Sequence, residues 1–238
     1  MRLRDFKVLS FDCYGTLVDW ESGLWAALQP LRARADKVPD REAALAAFAR
    51  AEARQQTETP SMPYAVLLGV VHGTLAREWG ATPDAAEAAQ FGASVPAWPV
   101  FADTPAALVD LKRHYRLVIL SNVDRASFAG TAPRLGVAFD AVLTAEELGS
   151  YKPDPRNFSA LLARLEELGF GRGDVLHVAQ SLFHDHGPAN AFGLASAWID
   201  RRGGEPGGAT VHPEAMPHYD FRFGSLAELA AARAREVD

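Results

Sequence analysis

The sequence has little cysteine, no long apolar run and no cluster of basic residues. Its one cysteine, Cys13, excludes an internal disulfide framework and is typical of a reducing compartment. No apolar run approaches the roughly 18 residues of a transmembrane helix, so no membrane contact is expected. The formal net charge of −6 argues against a nucleic-acid partner, which would select a basic surface. Residues 1–7 lead directly into a strand without the apolar region of a signal peptide, so the expected location is the cytoplasm.

Chain length and local amino-acid composition indicate a core domain that carries an inserted segment. The 238 residues are enough for this, and their 48% apolar and 23% charged content is ordinary for a globular protein. Residues 18–97 are rich in alanine and lack β-branched runs, which favours helices. One helix is predicted after Asp40 and another over 64–79, with an apolar face that includes Val66 and Val70. We therefore expect an all-helical insert.

The stretch with the clearest chemical content begins as a short apolar run. Residues 8–11, Val-Leu-Ser-Phe, predict a strand buried on both faces, as in parallel sheets. Asp12 follows at the carboxyl end, the edge at which open α/β sheets bind ligands. Burying a carboxylate is costly unless it is paired, so Asp12 is the first candidate for a reacting group. Gly15 allows the sharp turn that brings neighbouring groups together there.

From residue 98 onward, predicted strands alternate with predicted helices. This alternation implies right-handed crossovers and a parallel sheet. The expected fold class is α/β, with a Rossmann-like parallel-sheet core and an all-helical cap inserted after the first strand. Residues 1–17 and 98–238 would form the core domain and residues 18–97 the cap, with a linker at 95–99.

Polar residues fall at the carboxyl end of a predicted strand, or just beyond it, in four places. In a parallel sheet these ends share one edge, so carboxylates, hydroxyls, an amide and a lysine can meet in one crevice. The structural alternative is that the hydroxyl and amide residues cap the helices that follow. In chain order the residues are Asp12 with Thr16, Ser121 with Asn122, Lys152, and Ser181 with Asp185.

These residues also carry a family resemblance. The segment 12–16, Asp-Cys-Tyr-Gly-Thr, resembles motif I of the haloacid dehalogenase (HAD) superfamily. The segments 120–122, 151–153 and 181–185 resemble its motifs II, III and IV. The helical insert matches the cap position of the branch that contains the L-2-haloacid dehalogenases, and 198–201 is similar to a stretch on their last core strand. The resemblance covers nearly the whole chain.

Position 14 separates the branches of this superfamily. Its phosphatases have a second aspartate two residues after the nucleophile, and Tyr14 stands at that position here. A phosphate ester needs a proton on its leaving group, and such acid–base help is worth ~10²–10⁴-fold. A halide leaves without a proton. Tyr14 therefore favours hydrolytic dehalogenation of a small carboxylate substrate, a 2-haloalkanoic acid.

The resemblance implies covalent catalysis in two steps. Asp12 would attack the carbon that bears the halogen and form an enzyme ester. Lys152 would hold Asp12 ionised, and water activated by Asp185 would then cleave the ester. Ser181 would orient Lys152 or Asp185. No metal and no cofactor are implied for this reaction, because there is no phosphate charge to neutralise.

The resemblance also implies a substrate site and a self-association. Thr16, Ser121 and Asn122 would position the substrate carboxylate, with Tyr14 beside them. A cap arginine is expected to bind substrate or halide, and Arg41 lies in the corresponding region. A homodimer that pairs through the cap helices is implied by the resemblance alone.

Two positions depart from the dehalogenase pattern and leave other functions open. Phe158 stands where those enzymes have a tyrosine, and Leu182 where they have an asparagine. One alternative is a Mg²⁺-dependent phosphatase of the same fold, with Asp12 and Asp185 as metal ligands. The other is a non-catalytic binding protein that kept the scaffold. Tyr14 counts against the phosphatase, and the acid–lysine set counts against the binding protein.

Overall fold

A six-stranded parallel sheet forms the centre of the molecule in a computed structural model that describes residues 1–205, 207–211 and 213–236. The strands are β1 (Val8–Phe11), β2 (Arg116–Ser121), β3 (Ala141–Thr144), β4 (Val175–Ala179), β5 (Ala195–Ile199) and β6 (Phe221–Phe223). Their spatial order is β3-β2-β1-β4-β5-β6, and every neighbouring pair is parallel. The Rossmann-like α/β fold expected from the sequence is confirmed.

Strand β1 lies in the middle of this sheet. Phe11 pairs in register with Ile119 of β2 on one side and with Val178 of β4 on the other. All four β1 residues are buried, because helices cover both faces of a parallel sheet. The carboxyl ends of β1, β2 and β4 therefore meet at one edge, and each is followed by polar residues named above.

The segment between β1 and β2 is helical, as its alanine-rich composition predicts. Its helices are α1 (Trp20–Ala27), α2 (Gln29–Ala33), α3 (Arg41–Glu58), α4 (Tyr64–Glu78) and α5 (Ala85–Gly92). Asp19, Asp40 and Asp84 cap α1, α3 and α5, each accepting a hydrogen bond from a backbone N–H of the first turn. Helices α1 and α2 had no counterpart among the predictions. The helical insert is confirmed, and the domain boundaries at 18 and 97 stay a prediction.

Helix α4 buries only part of the apolar face that the sequence indicates. Val66 is 56% exposed and Val70 is 39% exposed, although both were expected on the apolar face. The buried side chains are Leu67, Leu68 and Val71, followed one turn later by Leu75. The 3.6-residue period turns Val66 and Val70 toward solvent once Leu67 and Leu68 face inward. Because the apolar stripe is wide, the pattern alone did not fix its centre.

The segment expected as a linker, 95–99, is packed against the rest of the protein. Residues Val95–Ala97 form a 3₁₀ turn, and Trp98 is buried. A Cβ atom at Gly23 would lie 2.4 Å from Cγ of Trp98, so the indole fits against α1 only because position 23 is glycine. Pro99 O accepts a hydrogen bond from Asp19 N at 2.8 Å. These contacts hold the start of the insert against its end.

Helices on both faces complete the core. They are α6 (Thr104–Lys112), α7 (Arg125–Thr131), α8 (Ala145–Leu148), α9 (Pro155–Glu167), α10 (Gly187–Ala191) and α11 (Leu226–Arg235). Leu9 and Phe11 join a hydrophobic cluster that continues into the insert, whereas Val8 packs with Phe158 and Leu161 of α9 on the other face. Across the described ranges, no helix combines the length and apolar character needed to span a bilayer.

Candidate active site

Asp12 follows β1 directly and lies at the edge of the sheet formed by the carboxyl ends of the strands. Its backbone N–H still bonds to Val178 O at 3.1 Å, so the residue is held by the end of the sheet. Gly15 then takes φ +104°, a conformation that L side chains rarely adopt, and the chain turns back. This turn brings the Thr16 hydroxyl to Oδ2 of Asp12, to which it donates at 2.7 Å. Thr16 thus orients Asp12.

Lys152 connects Asp12 to a second carboxylate. Its side chain is 1% exposed, and Nζ donates to Oδ1 of Asp12 at 2.9 Å, to Oδ1 of Asp185 at 2.7 Å and to Leu120 O at 2.9 Å. Asn122 fixes the backbone of the lysine, because its amide donates to Lys152 O at 3.0 Å and accepts from Lys152 N at 2.7 Å. The amide of Asn122 therefore serves to place Lys152.

Asp185 comes from a turn that follows β4. The turn is a π-helix over Leu182–His186, and the Ser181 hydroxyl caps it by accepting from His184 N at 3.0 Å. Ser181 therefore influences Asp185 through the backbone of this turn. Oδ1 of Asp185 also lies 2.9 Å from Nε2 of His177, whose Nδ1 lies 2.8 Å from the Ser10 hydroxyl. A buried chain of hydrogen bonds thus leads from β1 to Asp185.

Burial and neighbouring charges shift the pKa values of Asp12, Lys152 and Asp185 in different directions. Burial raises the pKa of Asp12, Lys152 opposes the rise and Asp185 adds to it. Burial would also raise the pKa of Asp185, but Lys152 and His177 outweigh it and hold that pKa well below its usual range. Burial would lower the pKa of Lys152, yet the two carboxylates outweigh it and raise that pKa. Asp12 is therefore more basic than an ordinary aspartate, which suits a nucleophile.

A small cavity of about 40 Å³ lies between this cluster and the helical insert. Ser121 Oγ and Asp185 Oδ2 are buried and have no hydrogen-bond partner within the described ranges. Both residues line the cavity, so a hydroxyl donor and a carboxylate acceptor are left for a bound molecule or water. The lining comprises Asp12, Tyr14, Trp20, Glu52, Gln56, Tyr64, Ser121, Asn122, Val123, Lys152, Ser181, His184, Asp185 and Thr210.

Arg41 does not join the other predicted site residues. It begins α3, whereas Glu52, which does line the cavity, lies eleven residues later, a rise of ~16 Å along the helix. The Arg41 side chain is 39% exposed and its guanidinium lies 3.9 Å from Glu21 and 3.4 Å from Glu42. The position of a residue along a cap helix depends on how the cap packs, and sequence distance from the core motifs carries no such information.

Sequence analysis missed His177 and, among the insert residues that line the cavity, Glu52 and Gln56. His177 lies within a buried strand outside the four motifs, and a buried histidine there was the available signal. Glu52 was also visible as an acidic residue within an otherwise alanine-rich helix face. Its neighbour in the fold, Tyr64, donates to Oε1 of Glu52 at 2.7 Å.

The two histidines that flank Asp185 have different surroundings. His186 is buried, with Nδ1 3.0 Å from the Ser196 hydroxyl and Nε2 3.0 Å from Ala179 O. His184 lines the cavity, and burial lowers its pKa to about 4, so it is neutral at physiological pH. Neither histidine supplies a positive charge to the site at that pH.

Asp12 and Asp185 are the ligands expected under the phosphatase alternative. Three of their four oxygens already accept hydrogen bonds, two from Lys152 and one from Thr16. Mg²⁺ demands near-octahedral oxygen coordination. Over residues 1–205, 207–211 and 213–236, no group of three or more His, Cys, Asp or Glu side chains is placed to hold a metal ion. Of these four oxygens, only Oδ2 of Asp185 is left without a partner in the described structure, which counts against Mg²⁺ at this site.

Residues 6–179 match the family described as haloacid dehalogenase-like hydrolases. The match covers well over half of the chain, so the protein belongs to this family of hydrolases. The fold and the motif spacing described above are those expected of a member. The family resemblance is confirmed, and the matched range includes residues 12–16, 120–122 and 151–153; residues 181–185 lie just beyond its end.

Individual relatives point to more than one reaction. An (S)-2-haloacid dehalogenase of Pseudomonas fluorescens is 33% identical over 141 residues, which are 58% of this chain and 58% of the relative. An N-acylneuraminate-9-phosphatase of Rattus norvegicus is 33% identical over 132 residues, 54% of this chain and 50% of the relative. The chain thus spans about half the length of these relatives. Among solved structures, an L-2-haloacid dehalogenase superposes with a TM-score of 0.74 at 26% identity, covering 95% of this chain and 98% of that one.

Proposed function

We propose that the protein hydrolyses small 2-haloalkanoic acids to hydroxy acids and halide through an ester on Asp12. The observation that carries this proposal is the sharing of Lys152 by Asp12 and Asp185, with no acid at position 14. The Tyr14 hydroxyl is engaged with Thr131 at 2.8 Å, and burial raises its pKa well above the ordinary value. Tyr14 is thus a poor proton donor, which supports a leaving group that needs no proton.

In the first step, a carboxylate oxygen of Asp12 attacks carbon 2 of the substrate. The carbon–halogen bond breaks, and the halide leaves with the electron pair. The Ser121 hydroxyl, a donor without a partner in the described structure, would bind the substrate carboxylate. Thr16 and Lys152 hold Asp12 in one orientation, so little freedom is lost when the substrate is attacked.

In the second step, water adds to Cγ of Asp12. Oδ2 of Asp185 is positioned to take the proton of this water, because Oδ1 is already held by Lys152 and His177. The Lys152 ammonium lies at Oδ1 of Asp12, where negative charge develops as the ester carbonyl is attacked. As the ester bond breaks, the alkoxide oxygen of the product takes the proton held by Asp185 and the hydroxy acid leaves. The second proton of the water is released to solvent, which regenerates the Asp12 carboxylate.

The cavity size favours the smallest substrates. A volume of about 40 Å³ holds on the order of three water-sized groups. Chloroacetate and L-2-chloropropionate are therefore the first substrates to test, with 2-chlorobutyrate as a larger comparison. The assay measures chloride release from these acids and, in parallel, phosphate release from p-nitrophenyl phosphate with and without Mg²⁺. Phosphate release that depends on Mg²⁺, without chloride release, would contradict the proposal and support the phosphatase alternative. Inactivity in both assays would contradict both hydrolase functions, and the non-catalytic binding protein would be the remaining alternative.

Substitutions at Ser121 and at Arg41 should affect substrate binding to different extents. Ser121→Ala removes a donor to the substrate carboxylate, and a hydrogen bond to a charged group contributes roughly 1.5–3 kcal/mol. We expect KM for chloroacetate to rise by about 10- to 100-fold. Arg41→Ala removes only exposed ion pairs, worth roughly 0–1 kcal/mol. We expect its kcat/KM to change less than about fivefold, and a larger loss would show that Arg41 reaches the substrate.

His177 positions Asp185, and its loss should slow the second step. His177→Gln weakens the hold on Oδ1 of Asp185, so hydrolysis of the ester should fall on the order of 10-fold or more. Formation of the ester should change less, because Asp12 keeps its contacts with Lys152 and Thr16. Rapid mixing should therefore show a burst of halide release followed by a slower steady rate. The matched control is His186→Gln, a buried histidine that bonds to Ser196. Equal effects in both variants would assign His177 a structural role alone.

A further inference from the structure

The insert contributes a carboxylic acid to the cavity wall that faces the core cluster. Glu52 of α3 is 5% exposed and accepts a hydrogen bond from the Tyr64 hydroxyl of α4 at 2.7 Å. Gln56, one turn further along α3, lines the same cavity, as does Trp20 of α1. Asp12 lies on the core side. A molecule bound in the cavity is therefore held between the nucleophile and the polar groups of the insert.

The charge of this wall is unusual for a site that takes an anion. Apart from Lys152, no lysine or arginine lines the cavity within the described ranges, and Lys152 is already engaged by two carboxylates. An ionised Glu52 would add a third carboxylate with no cation in contact. Burial raises the pKa of Glu52 to about 7, with the Tyr64 hydrogen bond opposing the rise. The neutral carboxyl group is thus readily available near neutral pH.

A displacement at carbon 2 expels the leaving group on the side away from the attacking oxygen. The attacking oxygen belongs to Asp12 on the core side, so the halide departs toward the insert. We propose that the neutral carboxyl group of Glu52 donates a hydrogen bond to the departing halide, with the Gln56 amide as a second donor. This inference rests on the function proposed above. The O–H bond of Glu52 stays intact, and the halide carries away the electron pair of the broken carbon–halogen bond.

Ionisation of Glu52 would replace the hydrogen bond to the departing halide with electrostatic repulsion. A carboxylate there repels both the halide and the anionic substrate, so the active form carries the proton. Activity is therefore present below pH 7 and falls by up to tenfold per pH unit above it. The titratable groups around Glu52 are Tyr64 on α4, Tyr151 before α9 and, across the cavity, Asp12, Tyr14, Lys152, His184 and Asp185. Burial raises the pKa of Tyr14 well above its ordinary value, so it stays neutral, and α1 contributes Trp20, which does not titrate.

Few of those neighbours compete with Glu52 as the cause of an alkaline loss of activity. Burial raises the pKa of both Tyr64 and Tyr151 well above the ordinary value of a tyrosine, so both stay neutral. Burial lowers the pKa of His184 to about 4, so it loses its charge at a much lower pH. A fall in activity between pH 7 and pH 9 therefore reports on Glu52.

The test compares pH profiles of kcat/KM for chloroacetate in three variants. Glu52→Gln keeps the size and a donor but does not titrate, so the alkaline fall should disappear, with a two- to fivefold lower rate at pH 6. Tyr64→Phe removes the hydrogen bond that lowers the pKa of Glu52, so the fall should move to higher pH. Glu58→Gln is the matched control, since Glu58 pairs with Arg54 on the exposed side of α3. Its profile should coincide with that of the unaltered protein.

Two outcomes would overturn the inference. One is an alkaline fall that persists in Glu52→Gln. The other is a folded Glu52→Gln protein that is inactive at every pH, which would mean that the carboxyl must give up its proton, as an acid for a poorer leaving group. Circular dichroism melting checks that each variant is folded.

A binding measurement separates this inference from the proposed function. Bromide binding is followed through the fluorescence of Trp20 and the other tryptophans, between pH 6 and pH 9. Bromide should bind on the order of 10-fold more weakly at pH 8 than at pH 6 in the unaltered protein, and with little change in Glu52→Gln. If no haloacid is hydrolysed but this difference holds, the halide site stands and the proposed reaction fails. If bromide binding is the same in both proteins at every pH, the halide site is wrong.

Discussion

Asp12→Asn is expected to abolish halide release from chloroacetate, with a loss on the order of 10³-fold or more, because a carboxamide is a very weak nucleophile. The substitution keeps the size of the side chain and one oxygen acceptor, so Lys152 retains Asp185 and Leu120 O as partners. The protein should remain folded. The measurement is steady-state chloride release alongside the melting temperature of the variant.

The control for this experiment is Asp154→Asn. Asp154 caps α9 at the surface and pairs with Arg156, outside the cavity. This substitution should change activity and stability little, because asparagine is as good an N-cap as aspartate. Chloride release by Asp12→Asn above a tenth of the unaltered rate would be incompatible with attack by Asp12 on carbon 2.

Lys152→Met is expected to have the largest effect on stability. Asp12 and Asp185 would face each other without the ammonium that both bind, and breaking a buried pair in this way costs about 3–5 kcal/mol. The free energy of unfolding, measured in urea at pH 8, should fall by this amount. Activity should also be lost, because Asp12 would be held as the protonated acid.

The pH dependence of the free energy of unfolding should also change in this variant, because the loss of Lys152 alters the pKa of both carboxylates. In the unaltered protein the pKa of Asp185 is depressed, so its contribution to stability is present above its unfolded pKa and is lost as the pH falls. Without Lys152, burial dominates and raises the pKa of Asp12 and Asp185, so Lys152→Met should gain stability as the pH falls from 8 to 5. Lys112→Met, which breaks a pair with Asp140 near the surface, should cost about 1 kcal/mol or less at both pH values. Equal losses in the two variants would contradict the buried cluster.

The core side of the site was predictable, because residues at the carboxyl ends of parallel strands lie at one edge of the sheet. Asp12 follows β1, Ser121 ends β2 and Asp185 lies in the turn after β4, and the parallel sheet brings these strand ends to one edge. Lys152 follows α8, and its place between two carboxylates agrees with the family motif. For these residues, local pattern and topology were sufficient.

The insert side of the site was not predictable in the same way. Which turn of α3 faces Asp12 depends on how the helices pack, and in the fold Glu52 rather than Arg41 lines the cavity. The apolar face of α4 was misjudged at Val66 and Val70 for a related reason. His177 was missed because a hydrogen bond between a strand residue and a distant turn leaves no spacing in the sequence.

The most direct test of ester formation on Asp12 is a single turnover in H₂¹⁸O with protein in excess over chloroacetate. Water attacks Cγ of Asp12 in the proposed reaction, so the ¹⁸O should appear in the Asp12 carboxylate. Mass spectrometry of the peptide that contains residues 8–16 should then show the label, and the first glycolate released should carry none. Label in the glycolate, with an unlabelled Asp12 peptide, would mean that water attacks the substrate directly and would contradict the account.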